Sequence, residues 1–104
     1  MRAGLIAVAT ALSVALVAPA GAETINVTID KVAYAPMNIS ARVGDTIEWN
    51  NVDLVAHTST ARDKSFDIMI FPNKKQSLTL KKAGEFNYYC KFHPNMTGHI
   101  SVKP

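Results

Sequence analysis

Cys90, His93 and Met96 follow one another at intervals of three residues in Cys90-Lys91-Phe92-His93-Pro94-Asn95-Met96. This stretch holds the only cysteine of the chain, one of its three histidines and one of its four methionines. A thiolate, an imidazole and a thioether are ligands that copper prefers. Soft sulfur favours Cu(I), imidazole suits both oxidation states, and two histidines, a cysteine and a weak axial methionine define a blue electron-transfer site. Such a set needs one more histidine, and His57 and His99 are the candidates. The chain must turn back at Pro94 for Met96 to reach a metal, and His99 would then be leaving along the last strand. His57 is therefore the expected second imidazole.

The elements that must carry these groups read as β-strands. Short runs of period-two alternation are separated by turn residues, and no segment sustains a 3.6-residue period for three turns. Ile25, Val27 and Ile29 alternate with polar residues, as do Ile39, Ala41 and Val43. Ile47 and Trp49 share one face of a strand that follows the Gly44-Asp45 turn. Asn50 to Asp53 reads as a loop, Leu54 to Thr60 as a strand, and Phe66 to Phe71 as an apolar run stopped by Pro72-Asn73. Leu78 and Leu80 precede the Ala83-Gly84-Glu85 turn. Phe86, Tyr88 and Cys90 lie on one face of the next strand, so the cysteine is expected to point inward at its end. The expected fold is all-β, a Greek-key β-sandwich of seven to eight strands. Met37 and Met69 are expected in its core.

The first 22 of the 104 residues do not fit this pattern. Met1-Arg2 begins positively, Leu5 to Val17 is almost wholly apolar, and small residues end in Ala20-Gly21-Ala22. That is the form of a secretory signal peptide, with cleavage expected after Ala22. The apolar run is shorter than the ~20 residues of a membrane span, so no span is expected after cleavage. Residues 23–104 then form one domain, small enough that a bound metal would add useful stability. A lone cysteine cannot form an intramolecular disulfide, and a metal would occupy its sulfur. The net charge of +3 is scattered, with Lys74-Lys75 and Lys81-Lys82 the only basic pairs, so nucleic-acid binding is not expected.

These residues resemble the cupredoxins, the small type 1 blue copper proteins, and within them the amicyanin/plastocyanin-like group. Tyr34-Ala35-Pro36, Val43-Gly44-Asp45-Thr46 and Trp49-Asn50-Asn51 are similar to the N-terminal half of that family. Ala56-His57-Thr58 resembles its first copper histidine. Ala83 to Cys90, then His93-Pro94 and Met96, resembles its ligand loop, and the two-residue gaps on both sides of His93 match the compact amicyanin loop. Thr58 stands where Asn is common, and Ala56 where Pro is common. The resemblance implies one type 1 copper ion held by His57, Cys90, His93 and Met96.

It also implies a monomeric, non-enzymatic periplasmic electron carrier, with a dehydrogenase or a c-type cytochrome as redox partner. His93, with Phe92 and Pro94 beside it, is expected to reach the surface as the docking face. The alternative is a periplasmic copper carrier or copper-resistance protein that hands over the metal itself, since the same soft ligands serve both. A zinc site fits less well, because methionine is a poor zinc ligand. A cysteine hydrolase lacks an evident Asn or Asp to orient its histidine.

Overall fold

The structure, a computed structural model, describes residues 21–104. The expected signal segment, residues 1–22, lies outside the described residues except for Gly21 and Ala22. Nine strands follow in order: β1 Thr24–Ile29, β2 Tyr34–Ala35, β3 Asn38–Arg42, β4 Thr46–Asn51, β5 His57–Ala61, β6 Asp67–Ile70, β7 Lys75–Thr79, β8 Gly84–Cys90 and β9 His93–Lys103. They form two sheets, one in the order β2-β1-β4-β7 and the other β3-β9-β8-β5-β6. β1 with β4 and β3 with β9 run parallel, and the other pairs are antiparallel.

Alternation decides which side chains fill the space between the sheets. Val27, Ile29, Ile39, Ala41, Ile47, Trp49, Tyr88, Ile100 and Val102 are buried, each separated from the next inward residue of its strand by an outward one. Trp49, Tyr88, Tyr34 and Phe66 form the aromatic centre, with the Tyr88 ring 4.6 Å from Tyr34 and 5.7 Å from Trp49. The indole N–H of Trp49 donates to the Tyr88 hydroxyl at 3.3 Å. Gly98, on β9, is what admits this ring: a Cβ there would lie 2.4 Å from the Tyr88 side chain.

The expected sandwich is present, but β4 runs on through Asn50 and Asn51, expected as loop, β5 begins at His57 rather than Leu54, and three further details differ. The count is nine because Tyr34–Ala35 forms a short strand of its own. The final strand starts at His93 rather than near Ile100, because the chain reverses in two residues, Lys91 and Phe92, after Cys90. Val43, Met37 and Met69 are exposed rather than in the core. Val43 sits in the turn that Gly44 makes at φ 101°, and Met69 takes the outer face of edge strand β6, where Ile70 takes the inner.

Candidate metal centre

Strand order alone brings three of the expected ligands to one end of one sheet. β8 lies between β9 and β5 and is antiparallel to both. Cys90 is the last residue of β8, while His57 is the first of β5 and His93 the first of β9. Antiparallel neighbours start where the central strand ends, so these side chains must meet.

They meet through particular atoms. Cys90 Sγ lies 3.7 Å from His57 Nδ1 and 3.6 Å from His93 Nδ1. The three donor atoms fall within 4.8 Å of one another. Metal bonds of ~2.3 Å to sulfur and ~2.0 Å to nitrogen give a sulfur–nitrogen separation of about 3.5 Å at a tetrahedral angle and about 3.7 Å at a trigonal one. The observed distances lie in that interval. His57 and Cys90 are fully buried, and His93 is half-buried. The imidazole rings are 5.0 Å apart and inclined by 51°.

Met96 is buried on β9 and belongs to the same apolar cluster as Cys90. Its position follows from an irregularity in the β8–β9 pairing. Cys90 pairs with His93 and Tyr89 with Thr97, so Pro94, Asn95 and Met96 are extra residues on one strand. Such a bulge re-aims side chains at the end of a sheet. His99 lies elsewhere: its ring nitrogens contact Asn87 Oδ1 and Glu85 Oε1, both at 2.7 Å. The structure thus places His57, and not His99, beside Cys90.

Five hydrogen bonds hold the group from behind. The Thr58 N–H donates to Cys90 Sγ at 3.3 Å. The Thr58 hydroxyl accepts the Lys91 N–H at 2.9 Å, which ties the first residue after the cysteine to β5. Thr58 Oγ1 also meets Thr60 Oγ1 at 2.9 Å, the Thr60 hydroxyl donates to Asp67 Oδ1 at 2.8 Å, and Lys91 Nζ donates to Asp67 Oδ2 at 2.8 Å. The result is a closed polar ring through Lys91, Thr58, Thr60 and Asp67. Lys91 and the Thr60 hydroxyl hold the Asp67 carboxyl below its usual range.

Asp53 is the functional residue that sequence reading missed. Its Oδ2 accepts the Nε2–H of His57 at 2.7 Å. That bond fixes the ring tautomer and leaves the Nδ1 lone pair facing Cys90. Asp53 is held in turn by two amides, Lys31 N–H on Oδ1 at 2.7 Å and Val32 N–H on Oδ2 at 3.0 Å. Burial pushes its carboxyl up, but the amides of Val32 and Lys31 and the His57 ring outweigh it and leave the group below its usual range. Lys31 and Val32 have φ of 54° and 58°, the two left-handed residues of a tight hairpin turn that usually takes Asn and Gly. For β-branched Val32 that conformation is costly, and nothing in Lys-Val announces a turn. The one available signal was the spacing of Asp53 four residues before His57.

Comparison with known proteins agrees. The cupredoxin-like domain family matches residues 3–102. Amicyanin of Paracoccus versutus is 26% identical over 88 residues, which cover 79% of this chain and 67% of that protein. Amicyanin of Paracoccus denitrificans is 31% identical over 85 residues, covering 74% of this chain and 63% of that protein. The chain thus spans about two thirds of the length of one of these relatives and less of the other. Among solved structures, an amicyanin variant in its Cu(I) form superposes with a TM-score of 0.70 at 29% identity, covering 84% of this chain and 86% of that one. A second Cu(I) variant gives 0.72 at 28% identity, covering 77% and 82%. With a family match that runs almost from end to end, on an all-β sandwich of the same form, the chain belongs to the cupredoxin-like family.

Proposed function

We propose that the chain is a copper-dependent electron carrier that binds one type 1 copper ion through His57, Cys90, His93 and Met96. The observation that carries this reading is the convergence of His57 Nδ1 and His93 Nδ1 on the buried Cys90 sulfur, at 3.7 and 3.6 Å. Copper in such a site supplies a one-electron Cu(I)/Cu(II) couple. The donor set of one thiolate, two imidazoles and a nearby thioether suits copper better than zinc, which would want a fourth nitrogen or a second sulfur.

The residues of the chain do the rest. Cys90, His57 and His93 stand on three adjacent hydrogen-bonded strands, so their relative positions resist change when the charge of the centre changes. Asp53 holds the His57 ring, and the Thr58 N–H stabilises negative charge on Cys90 Sγ. Full burial of His57 and Cys90 excludes water from that side. His93 opens to a surface hollow lined by Val32, Phe92, Pro94, Asn95 and Met96. Val32 and Phe92 are exposed there at 43% and 52%. This small apolar rim is the expected docking face for a transient protein redox partner. A periplasmic dehydrogenase or a c-type cytochrome fits that role, reached after export and cleavage behind Ala22.

Addition of Cu(II) to the metal-free protein, followed by cyclic voltammetry in the presence of a competing Cu(I) chelator, tests the reading. A reversible couple with the metal retained supports an electron carrier. Transfer of the metal to the chelator on reduction supports copper delivery instead.

A further inference from the structure

At the end of the sandwich opposite the metal centre, Asp45 is only 8% exposed. β9 separates the two ends: it begins at His93 and closes beside Arg42, with eleven residues between and including its termini, or roughly 35 Å at ~3.3 Å per residue. Asp45 Oδ1 accepts the backbone N–H of Glu23 at 2.9 Å, and Oδ2 accepts that of Arg42 at 2.9 Å. The Glu23 amide first and the Arg42 amide second draw its carboxyl below the usual range, against the opposing effect of burial. On its other side, the Glu23 carbonyl accepts the Thr46 N–H at 2.9 Å. Residue 23 is therefore fastened at both its nitrogen and its carbonyl, immediately before β1 begins at Thr24.

The two residues before it are placed differently. Gly21 and Ala22 are exposed and precede the first strand. Every ladder contact of β1, from Thr24 with Thr46 onward, lies after them. The Ala22–Glu23 bond is thus both reachable and dispensable, and it follows the small residues Ala20 and Ala22 that processing peptidases accept.

We propose that Asp45 is a built-in receptor for the α-ammonium group that cleavage of the Ala22–Glu23 bond would free. Hydrolysis adds one water across the amide. The carboxylate departs with Ala22, and the nitrogen stays with Glu23 and takes up a proton. That nitrogen already lies 2.9 Å from Asp45 Oδ1. Processing therefore converts a neutral amide donor into a cation at hydrogen-bonding distance from a buried carboxylate, a stronger charge-assisted contact. The other charged groups lining this hollow are the Glu23 side chain, Arg42 and Lys103. The two cations compete for Asp45, but neither side chain is hydrogen-bonded to it in the way the Glu23 nitrogen is. Cleavage at this bond rests on the export reading above, and the receptor does not.

The sign of the pH dependence follows from the pairing. A free α-amino group titrates near ~7.7–8.0, and a neighbouring carboxylate favours its charged form and raises that value. The contact therefore stabilises the fold fully below about pH 7.7 and loses its effect as the pH rises through the higher folded value.

Two measurements test the cleavage and the receptor separately. The chain is expressed with its own leader in a bacterium and recovered after export, and its intact mass is measured. A mass starting at Glu23 supports cleavage there, and any other start overturns it. Independently, chains beginning at Glu23 and at Gly21 are released from a fusion, and their α-amino groups are titrated by NMR after isotopic dimethylation. The Glu23 chain is expected to titrate roughly half a unit or more above a free terminus. Its melting temperature should fall between about pH 8 and pH 10. The Gly21 chain, whose amine is up to ~7 Å further along the backbone, should show neither effect. Asp45→Asn in the Glu23 chain should return the amine to its free value. An unshifted amine in the Glu23 chain, or an equal shift in both chains, overturns the receptor. Should Asp45→Asn fail to fold, the comparison of the two parent chains still decides.

Discussion

The carboxylate of Asp53 accepts a hydrogen bond from the outer nitrogen of His57 at 2.7 Å, while the inner nitrogen of the same ring faces Cys90 Sγ. One residue thus sets the tautomer of a candidate metal ligand. The same carboxylate gathers the amides of Lys31 and Val32, so it also links the β1–β2 turn to the metal centre. Losing such a partner typically costs a site 10–100-fold in metal affinity. Asp53→Ala is expected to lower Cu(II) affinity by about that factor, measured by competition with a chelator of known strength. The fold should persist, shown by an unchanged β-sheet circular dichroism spectrum.

Met96 tests the axial position. It is buried in the bulge of β9, in the same apolar cluster as Cys90, and as a weak axial ligand its thioether would tune the potential without carrying the main bond. Met96→Leu keeps the apolar volume and removes the sulfur. Its blue colour should survive and its reduction potential should rise, as read by voltammetry. Outright release of copper would show that the thioether is a principal ligand.

Thr58 is expected to act as a brace through its hydroxyl, which accepts the Lys91 N–H at 2.9 Å. Thr58→Val preserves shape but leaves that amide without its partner, at a cost of about 1–2 kcal/mol in chemical denaturation of the metal-free protein. Thr58→Ser should restore most of the stability. A potential that moves in Val and returns in Ser would tie the bond to the metal as well as to the fold.

Gly98 makes the core prediction. A methyl group there would meet the Tyr88 ring at 2.4 Å, and Tyr88 is fully buried between Tyr34 and Trp49. Gly98→Ala is expected to destabilise the protein by about 1–3 kcal/mol through overpacking. A thermal melt of the metal-free form measures it, and an unchanged midpoint would mean that the aromatic cluster is looser than its contacts imply.

Alternation made most of this fold legible. Burial of Ile47 with Trp49, and of Tyr88 with Cys90, follows directly from period-two spacing, and the inward cysteine followed from the same rule. His57 could be chosen over His99 by asking which way the chain must travel after Pro94. Asp53 and the ring through Thr60, Asp67 and Lys91 could not be read in this way. Those contacts depend on which strands become neighbours, and strand order across two sheets is a long-range outcome with no local signature. The Lys31-Val32 turn was hidden for a different reason. Its left-handed backbone is imposed by the hairpin and held by Asp53 rather than encoded by glycine or asparagine. Met69 was misassigned because a four-residue edge strand gives alternation too little length to show which face is inner.

The central claim is that Cys90 sulfur, flanked by His57 and His93, forms a type 1 copper centre. Absorption and electron-paramagnetic-resonance spectra after addition of one equivalent of Cu(II), for the parent chain and for Cys90→Ser, test it most directly. The parent should turn intensely blue with the narrow copper hyperfine splitting of a thiolate-bound site, and Cys90→Ser should be colourless. A colourless parent protein, or a blue band that persists without the Cys90 thiolate, would contradict the account.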